Sequence, residues 1–258
     1  MMMRFLERLL PKMYIALIPH ADGHLVYGEL RKEGRIIKRF AEEEVTDKTL
    51  LAEKVKRLSR ESAQSYVVLL DSVSEQGVLP SCGEIEGLET SSIERVCLGS
   101  WALFMDKDDL FARQRSYKEV GLDLLFSPYS LLRHFFAEQI KVQDGLYLLI
   151  AEGWLVTLVI KENRALFGEL IALEELSVLA DQTKQTERYV TKVQESVKRF
   201  YEEKSDETMF IEHLYIADAV GFDIGLENRL EELLFVDIVK QHIELSHELV
   251  SLAEKEFE

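Results

Sequence analysis

Apolar and polar positions along the chain form two successive passages with one grammar. The first begins at Met13, where MYIALIPHADGHLVYGELRKEGRIIKRF reads as three strands with turns at Ala21–Gly23 and Lys32–Gly34. Asp-Gly and Glu-Gly supply the positive backbone dihedrals that tight hairpins require. A helix is expected from Thr46 as N-cap, with Leu51, Val55 and Leu58 on one apolar face. Ser65 to Leu70 is a continuous apolar run of strand length, suited to burial on both faces. Residues 71–94 hold most of the polar turn signals. A strand over Arg95–Met105, a helix over Asp106–Val120 ended by Gly121, and a proline-started helix at Ser127-Pro128 follow.

The pattern then restarts. DGLYLLIAEGWLVTLVIKENRALFGELI again reads as three strands, with turns at Glu152-Gly153 and Glu162-Asn163. A helical stretch from Leu173 to Glu203 carries Val190, Val193, Val197 and Phe200 at spacings of three and four. Met209–Ala217 reads as a strand, and helices are expected over Leu226–Leu234 and Asp237–Glu256. Small phrases repeat with the elements: ADGHLV at 21–26 returns as AEGWLV at 151–156, and Lys32-Glu33-Gly34-Arg35 as Lys161-Glu162-Asn163-Arg164. Matched element order together with these echoes predicts an α/β protein of two similar βββαβ lobes, each a hairpin-led mixed sheet backed by helices. The expected division is an N-terminal stub over 1–12, a first lobe over 13–140 with an insertion subdomain at about 71–120, and a second lobe over 141–258.

Charge changes this picture in one respect. The net charge is −16, which argues against a nucleic-acid backbone as partner. Residues 1–120 carry 18 basic and 20 acidic side chains, whereas residues 121–258 carry 13 and 27. The acidic half either serves solubility or repels anionic lipid and faces away from it. Within MMMRFLERLLPK, apolar and basic residues separate into two sides, as in a short amphipathic foot for peripheral membrane contact, with a docked or frayed terminus as the alternative. The longest apolar stretch, Gly145–Ile160, is broken by Glu152-Gly153 and falls short of the ~18–20 residues of a spanning helix. Cys82 and Cys97 fit no metal spacing and suggest no disulfide framework, so a reducing cytoplasm is the expectation.

The duplicated order, the segment WALFMDKDDLFARQRSYKEVGLDLLFSPYSLLRHFF and the late strand-loop-helix LYIADAVGFDIGLENRLEELL resemble the actin-like, RNase H-type (ASKHA) proteins of the PilM and GspL families, across nearly the whole length. The resemblance implies two actin-like lobes and a nucleotide cleft lined at the first turn of each lobe by an Asp and a Gly. Aligned by strand register, these positions fall at Pro19 and Ala21 and again at Leu149 and Ala151, so both acids and both glycines are absent. The late adenosine-side glycine pair becomes Ala217-Asp218-Ala219, with Gly221 displaced. The implied cleft is therefore vestigial, with neither ATP nor magnesium expected. The implied role is a non-catalytic cytoplasmic scaffold of a type IV pilus or type II secretion-like assembly, peripheral at the inner membrane. Its expected partner is the tail of an inner-membrane PilN-, GspM- or GspE-like protein, with homodimerisation left open. The alternatives are an ATPase or small-molecule kinase with motifs displaced to Asp22-Gly23 and Glu152-Gly153, and a polymerising cell-division relative.

Other constellations are weaker. His20, Asp22 and His24 are close enough in sequence to suggest a metal, but read more simply as turn residues. His242 and His247 are five apart, on different sides of a helix if one runs through both. Asp106, Asp108 and Asp109 lack the Gly and Glu of a calcium loop.

Overall fold

A computed structural model of the chain describes residues 10–20, 23–83, 91–173, 182–204, 209–222 and 224–257. Residues 1–9 of the amphipathic foot expected over 1–12, together with Ala21 and Asp22, lie outside the described residues. The chain divides into two compact units. One comprises Met1–Ser72, Asp109–Ser127 and Glu244–Glu258; the other comprises Val73–Asp108 and Pro128–Ile243.

The first unit is built on a sheet of order β3-β2-β1-β4-β8. Strands β1 (Lys12–His20), β2 (Gly23–Lys32) and β3 (Arg35–Val45) form an antiparallel meander. Its second turn holds Glu33 and Gly34 at φ 49° and 74°, the pairing of positive dihedrals that the sequence calls for. The chain then crosses over through α1 (Lys48–Ser59) to lay β4 (Gln64–Leu70) parallel to β1. The cap of α1 is Asp47 rather than Thr46, because its carboxylate reaches the N–H groups of Thr49 and Leu50. Leu51, Val55 and Leu58 of α1 pack on Met13, Ile15, Leu17, Val67 and Leu69, each such burial contributing on the order of 1.5–3 kcal/mol.

After α2 (Lys107–Ser116) and Gly121, which sits at φ 78°, the short strand β8 (Leu124–Phe126) pairs with the end of β4. The last helix, α7 (Leu245–Glu256), belongs to this unit and packs against β1 and β2. It is fastened by ions as well as by apolar contact. Glu29, fully buried on β2, meets Arg31 Nε at 2.5 Å, His247 Nδ1 at 2.8 Å and Arg39 Nε at 3.3 Å, and accepts from the Tyr27 hydroxyl. Arg31 continues to Glu254 at 2.7 Å and donates to Ser251 Oγ at 3.0 Å. Burial alone pushes the Glu29 carboxyl up. The hydrogen bonds from Tyr27, His247 and Arg31 overcome that and hold it below the usual carboxylate range.

The second unit repeats the plan. Its sheet has the order β11-β10-β9-β12-β13, with β9 (Gly145–Ala151), β10 (Trp154–Lys161) and β11 (Arg164–Ala172) as the meander. Glu162 and Asn163 take φ 51° and 58° at its second turn. Helix α5, described from Gln182 to Glu203, returns the chain to β12 (His213–Asp218), parallel to β9. Val190, Val193 and Phe200 of α5 and Leu226 and Leu230 of α6 (Ile224–Leu234) cover one face of the sheet. Helix α3 (Pro128–Phe135), with the short α4 (Ala137–Ile140), lies at the other, where Phe136 meets the stacked rings of Tyr147 and Tyr215.

Three expectations change. The stretch Asp237–Glu256 is not one helix: Asp237–His242 is β13, pairing in parallel with β12, and only Leu245–Glu256 is helical. Arg95–Met105 is part of a hairpin, β6 (Ile93–Leu98) and β7 (Trp101–Asp106), turned by Gly99 at φ 76° and joined by β5 (Gln76–Leu79) into a three-stranded sheet. That sheet groups with the second unit, not with the first as the sequence reading had it, because β5 lies on β11. Gly168 permits the approach; a Cβ there would meet Val78 Cγ2 at 2.8 Å and Tyr129 Cε1 at 3.0 Å. Finally, Cys82 and Cys97 are joined as a disulfide, with Cα atoms 5.6 Å apart. The strand order β5-β7-β6 sets the segment after β5 across the start of β7 from Cys97, a pairing that spacing alone does not reveal.

Glu29→Gln is expected to cost about 3 kcal/mol at neutral pH, since it removes the fully buried charge that Arg31 Nε and His247 face and leaves Glu254 as the remaining carboxylate on Arg31. A carboxyl held below its ordinary value of 4.5 stabilises the fold above that pH and loses the contribution as pH falls through the folded value. Urea unfolding should therefore show the gap between wild type and variant narrowing below about pH 4.5.

Candidate functional site

In the second unit the sheet brings together four of the positions marked by the sequence. Ala217 and Asp218 end β12 and pair in register with Leu149 and Ile150 of β9, and Ala151 closes β9. All are buried. Leu149 offers a hydrocarbon chain and Ala151 a methyl group at the two positions that the sequence alignment sets against a metal-organising carboxylate and a glycine. The carbonyl of Ala151 accepts a hydrogen bond from the Tyr189 hydroxyl at 2.8 Å, and burial pushes that phenol's pKa up. Tyr189 also packs edge-on against Phe222, at 4.9 Å between ring centroids.

Asp218 is the acid among these residues, and its carboxylate is occupied. Oδ1 accepts from the backbone N–H groups of Val220 and Gly221 at 2.9 and 2.8 Å, and Oδ2 accepts from Phe222 at 2.8 Å. The residue is 2% exposed. Gly221 takes φ 81° in this turn, with no atom within 4 Å of where a Cβ would point. Asp218 thus folds its own loop, using N–H groups that a phosphate would otherwise compete for.

In the first unit, Pro19 lies on β1 opposite His24 of β2. His24 Nε2 lies 2.5 Å from the Tyr117 hydroxyl, and burial, then Lys48 and Arg113, holds its pKa below the ordinary 6.5. Of His20, Asp22 and His24, Asp22 lies outside the described residues, and among the described residues no group of three His, Cys, Asp or Glu side chains is placed to hold an ion. His242 and His247 fall on different elements, β13 and α7.

The first unit also carries a groove of about 580 Å³ that sequence reading did not locate. Thr49, Ala52, Glu53 and Lys56 of α1 form one wall, Glu119–Asp123 the other, and Ser65 and Val67 of β4 the floor. The wall residues recur at three- and four-residue spacing beside the α1 face that enters the core, and Val55 belongs to both. The floor exists because β8 is three residues long and reaches only Val68–Leu70. Beyond it, Asp123 alone completes the ladder, its N–H donating to Val67 O at 2.9 Å and its carboxylate accepting from Val67 N at 2.7 Å. Backbone groups alternate sides along a strand, so Ser65, two residues earlier, turns its N–H and C=O into the groove. Glu53, Lys56 and Glu119 make no ion pair among the described residues. The groove therefore presents an open strand edge flanked by charges of both signs.

Asp218→Ala is expected to destabilise the protein by about 3 kcal/mol, because a buried charged acceptor of three hydrogen bonds disappears. Thermal or urea unfolding measures it; a loss below ~0.5 kcal/mol would show that the loop holds its shape without the carboxylate.

Residues 10–133 are similar to a domain of unknown function, DUF8569, and residues 176–258 to another, DUF8341. No curated protein matches the chain. Among solved structures, a Bacteroides thetaiotaomicron protein with an actin-like ATPase fold and unknown function is 11% identical, with 93% of this chain and 95% of that one covered at a TM-score of 0.58. A chain of the PilM–PilN type IV pilus biogenesis complex is 13% identical, with 91% and 89% covered at a TM-score of 0.53. Together with the duplicated sheets, these likenesses show that the chain has the actin-like ATPase fold.

Proposed function

We propose that the protein is a non-catalytic adaptor of a type IV pilus or type II secretion-like assembly. In this reading it works in the cytoplasm, peripheral at the inner membrane, and holds the cytoplasmic tail of a PilN-like membrane partner. The observation that carries the reading is the open edge of β4 at the bottom of the α1 groove. An extended peptide entering there adds main-chain hydrogen bonds to Ser65, and its side chains meet Ala52, Lys56 and Glu119. The fold is shared with a protein solved as a PilM–PilN complex, which makes a tail of that type the natural occupant. No helix among the described residues is long and apolar enough to cross a membrane. A reducing cytoplasm would open the Cys82–Cys97 disulfide, while the β5–β7 and β6–β7 ladders pair without it.

The absence of catalysis follows, in the same reading, from the chemistry at Leu149, Ala151 and Asp218. Two positions lack polar side chains, and the one carboxylate is committed to its own loop.

Two measurements test the proposal. The tail peptide of the membrane protein that co-purifies with the chain should bind in fluorescence anisotropy, and Ala52→Arg, which fills the groove from a helical position, should weaken binding about tenfold. Unchanged affinity would remove the groove from the reading. ATP with magnesium should leave the melting temperature unchanged. A nucleotide at 100 times its Kd would add ~2.7 kcal/mol, and a magnesium-dependent shift of that kind would favour an enzyme.

A further inference from the structure

Four large apolar or aromatic side chains stand exposed around the N-terminal ends of β12 and β13, within the second unit. Phe235 is 90% exposed and Phe210 83%, with Leu233 and Tyr201 at 39% each. Hydrogen bonds join the segments that carry them. The Tyr201 hydroxyl accepts from Ile211 N at 3.0 Å, Asp237 N donates to Glu212 O at 2.9 Å, and Phe235 N donates to Glu231 O at 3.0 Å. Phe235 adopts φ 55° immediately after α6, the left-handed position that usually belongs to glycine. A bulky side chain is thus displayed where the backbone favours none.

The electrostatics of the same end are independently unusual. Both α5 and α6 terminate here, and neither carries a basic residue in its last turn. Helix C-termini bear partial negative charge and favour cations; these end in Glu202-Glu203 and Glu231-Glu232 instead. Glu203, Glu212 and Glu231 form no ion pair among the described residues. Lys204 follows α5, and Arg229 is already held between Glu187 and Glu232. Asp237, 87% exposed, has His213 at 3.7 Å as its ionic neighbour among the described residues.

We propose that this end of the second unit is a docking surface for a protein segment in which lysines or arginines alternate with apolar residues. Its apolar side chains cover Phe210 and Phe235, and its cations answer the acidic rim and the two helix ends. The negative field excludes an anionic lipid surface as the occupant. The inference does not depend on the α1 groove, which lies in the first unit and carries the tail-binding reading.

A labelled model peptide of repeating Leu-Lys-Lys-Leu, with a Leu-Glu-Glu-Leu control, tests the surface by fluorescence anisotropy. The expected result is saturable binding of the lysine peptide alone, about tenfold weaker in the Phe210→Ser/Phe235→Ser double variant and weaker again in high salt. Because both rings are exposed, the double variant should melt as the wild type does. Glu212→Lys/Glu231→Lys should lose the lysine peptide and gain the glutamate one. The proposal is overturned if the lysine peptide does not bind, if either variant binds it as wild type does, or if the control binds equally. Recruitment to phosphatidylserine vesicles that depends on Phe210 and Phe235 would overturn it as well.

Discussion

A parallel pair of strands cannot be closed by a two-residue turn, and both units place such a pair, β1 with β4 and β9 with β12, at the middle of a sheet. The chain must leave each sheet, cross one face and return, and the crossover becomes a helix that buries that face. In the first unit this is α1, and in the second α5. A strand so placed is covered on both sides. All seven residues of β9 are buried, which favours hydrocarbon at every position. Leu149 and Ala151 satisfy that demand, and in doing so they leave no acid at the end of the strand. Packing on both faces thus favours hydrocarbon at the positions where the resemblance sets an acid and a glycine.

Much of this was readable before any coordinates, where the signal is local. The meanders of both units follow from alternating strands and from turn residues that tolerate positive dihedrals, such as Glu33-Gly34 and Glu162-Asn163. What escaped reading depends on partners distant in the chain. Residues 237–242 become a strand because β12 offers them a ladder, although Val239 and Ile243, four apart, also suit one face of a helix. The three-stranded sheet joins the second unit through β11, and nothing within residues 73–108 specifies that surface. Gly168, the residue that admits Val78, lies some distance along the sequence. The disulfide likewise depends on strand order.

The sites show the same division. In the sequence, strand register marks Pro19, Leu149 and Ala151 and the late loop marks Ala217 and Asp218, but the use of the Asp218 carboxylate depends on how the following turn folds back over it. The Glu29 cluster joins residues 218 positions apart, beyond the reach of periodicity. Glu29 and Arg31, charged at i and i+2 within an otherwise apolar strand, were the available hint. A carboxylate kept ionised in a buried site needs several donors at once. Residues from β2 and α7 provide them, so the last helix is required to complete the sheet that the first strands begin.

The two sheets differ most in the length of their fifth strand. β13 accompanies β12 from its first residue, whereas β8 meets only the last three of the seven residues of β4. The uncovered part of β4 is not a free rim. Helix α1 stands over one side and the 119–123 segment over the other, so a second sheet cannot slide flat against it, while a single ribbon of chain can thread in. The fold thereby keeps an unfinished sheet without inviting the edge-to-edge stacking that leads to fibrils.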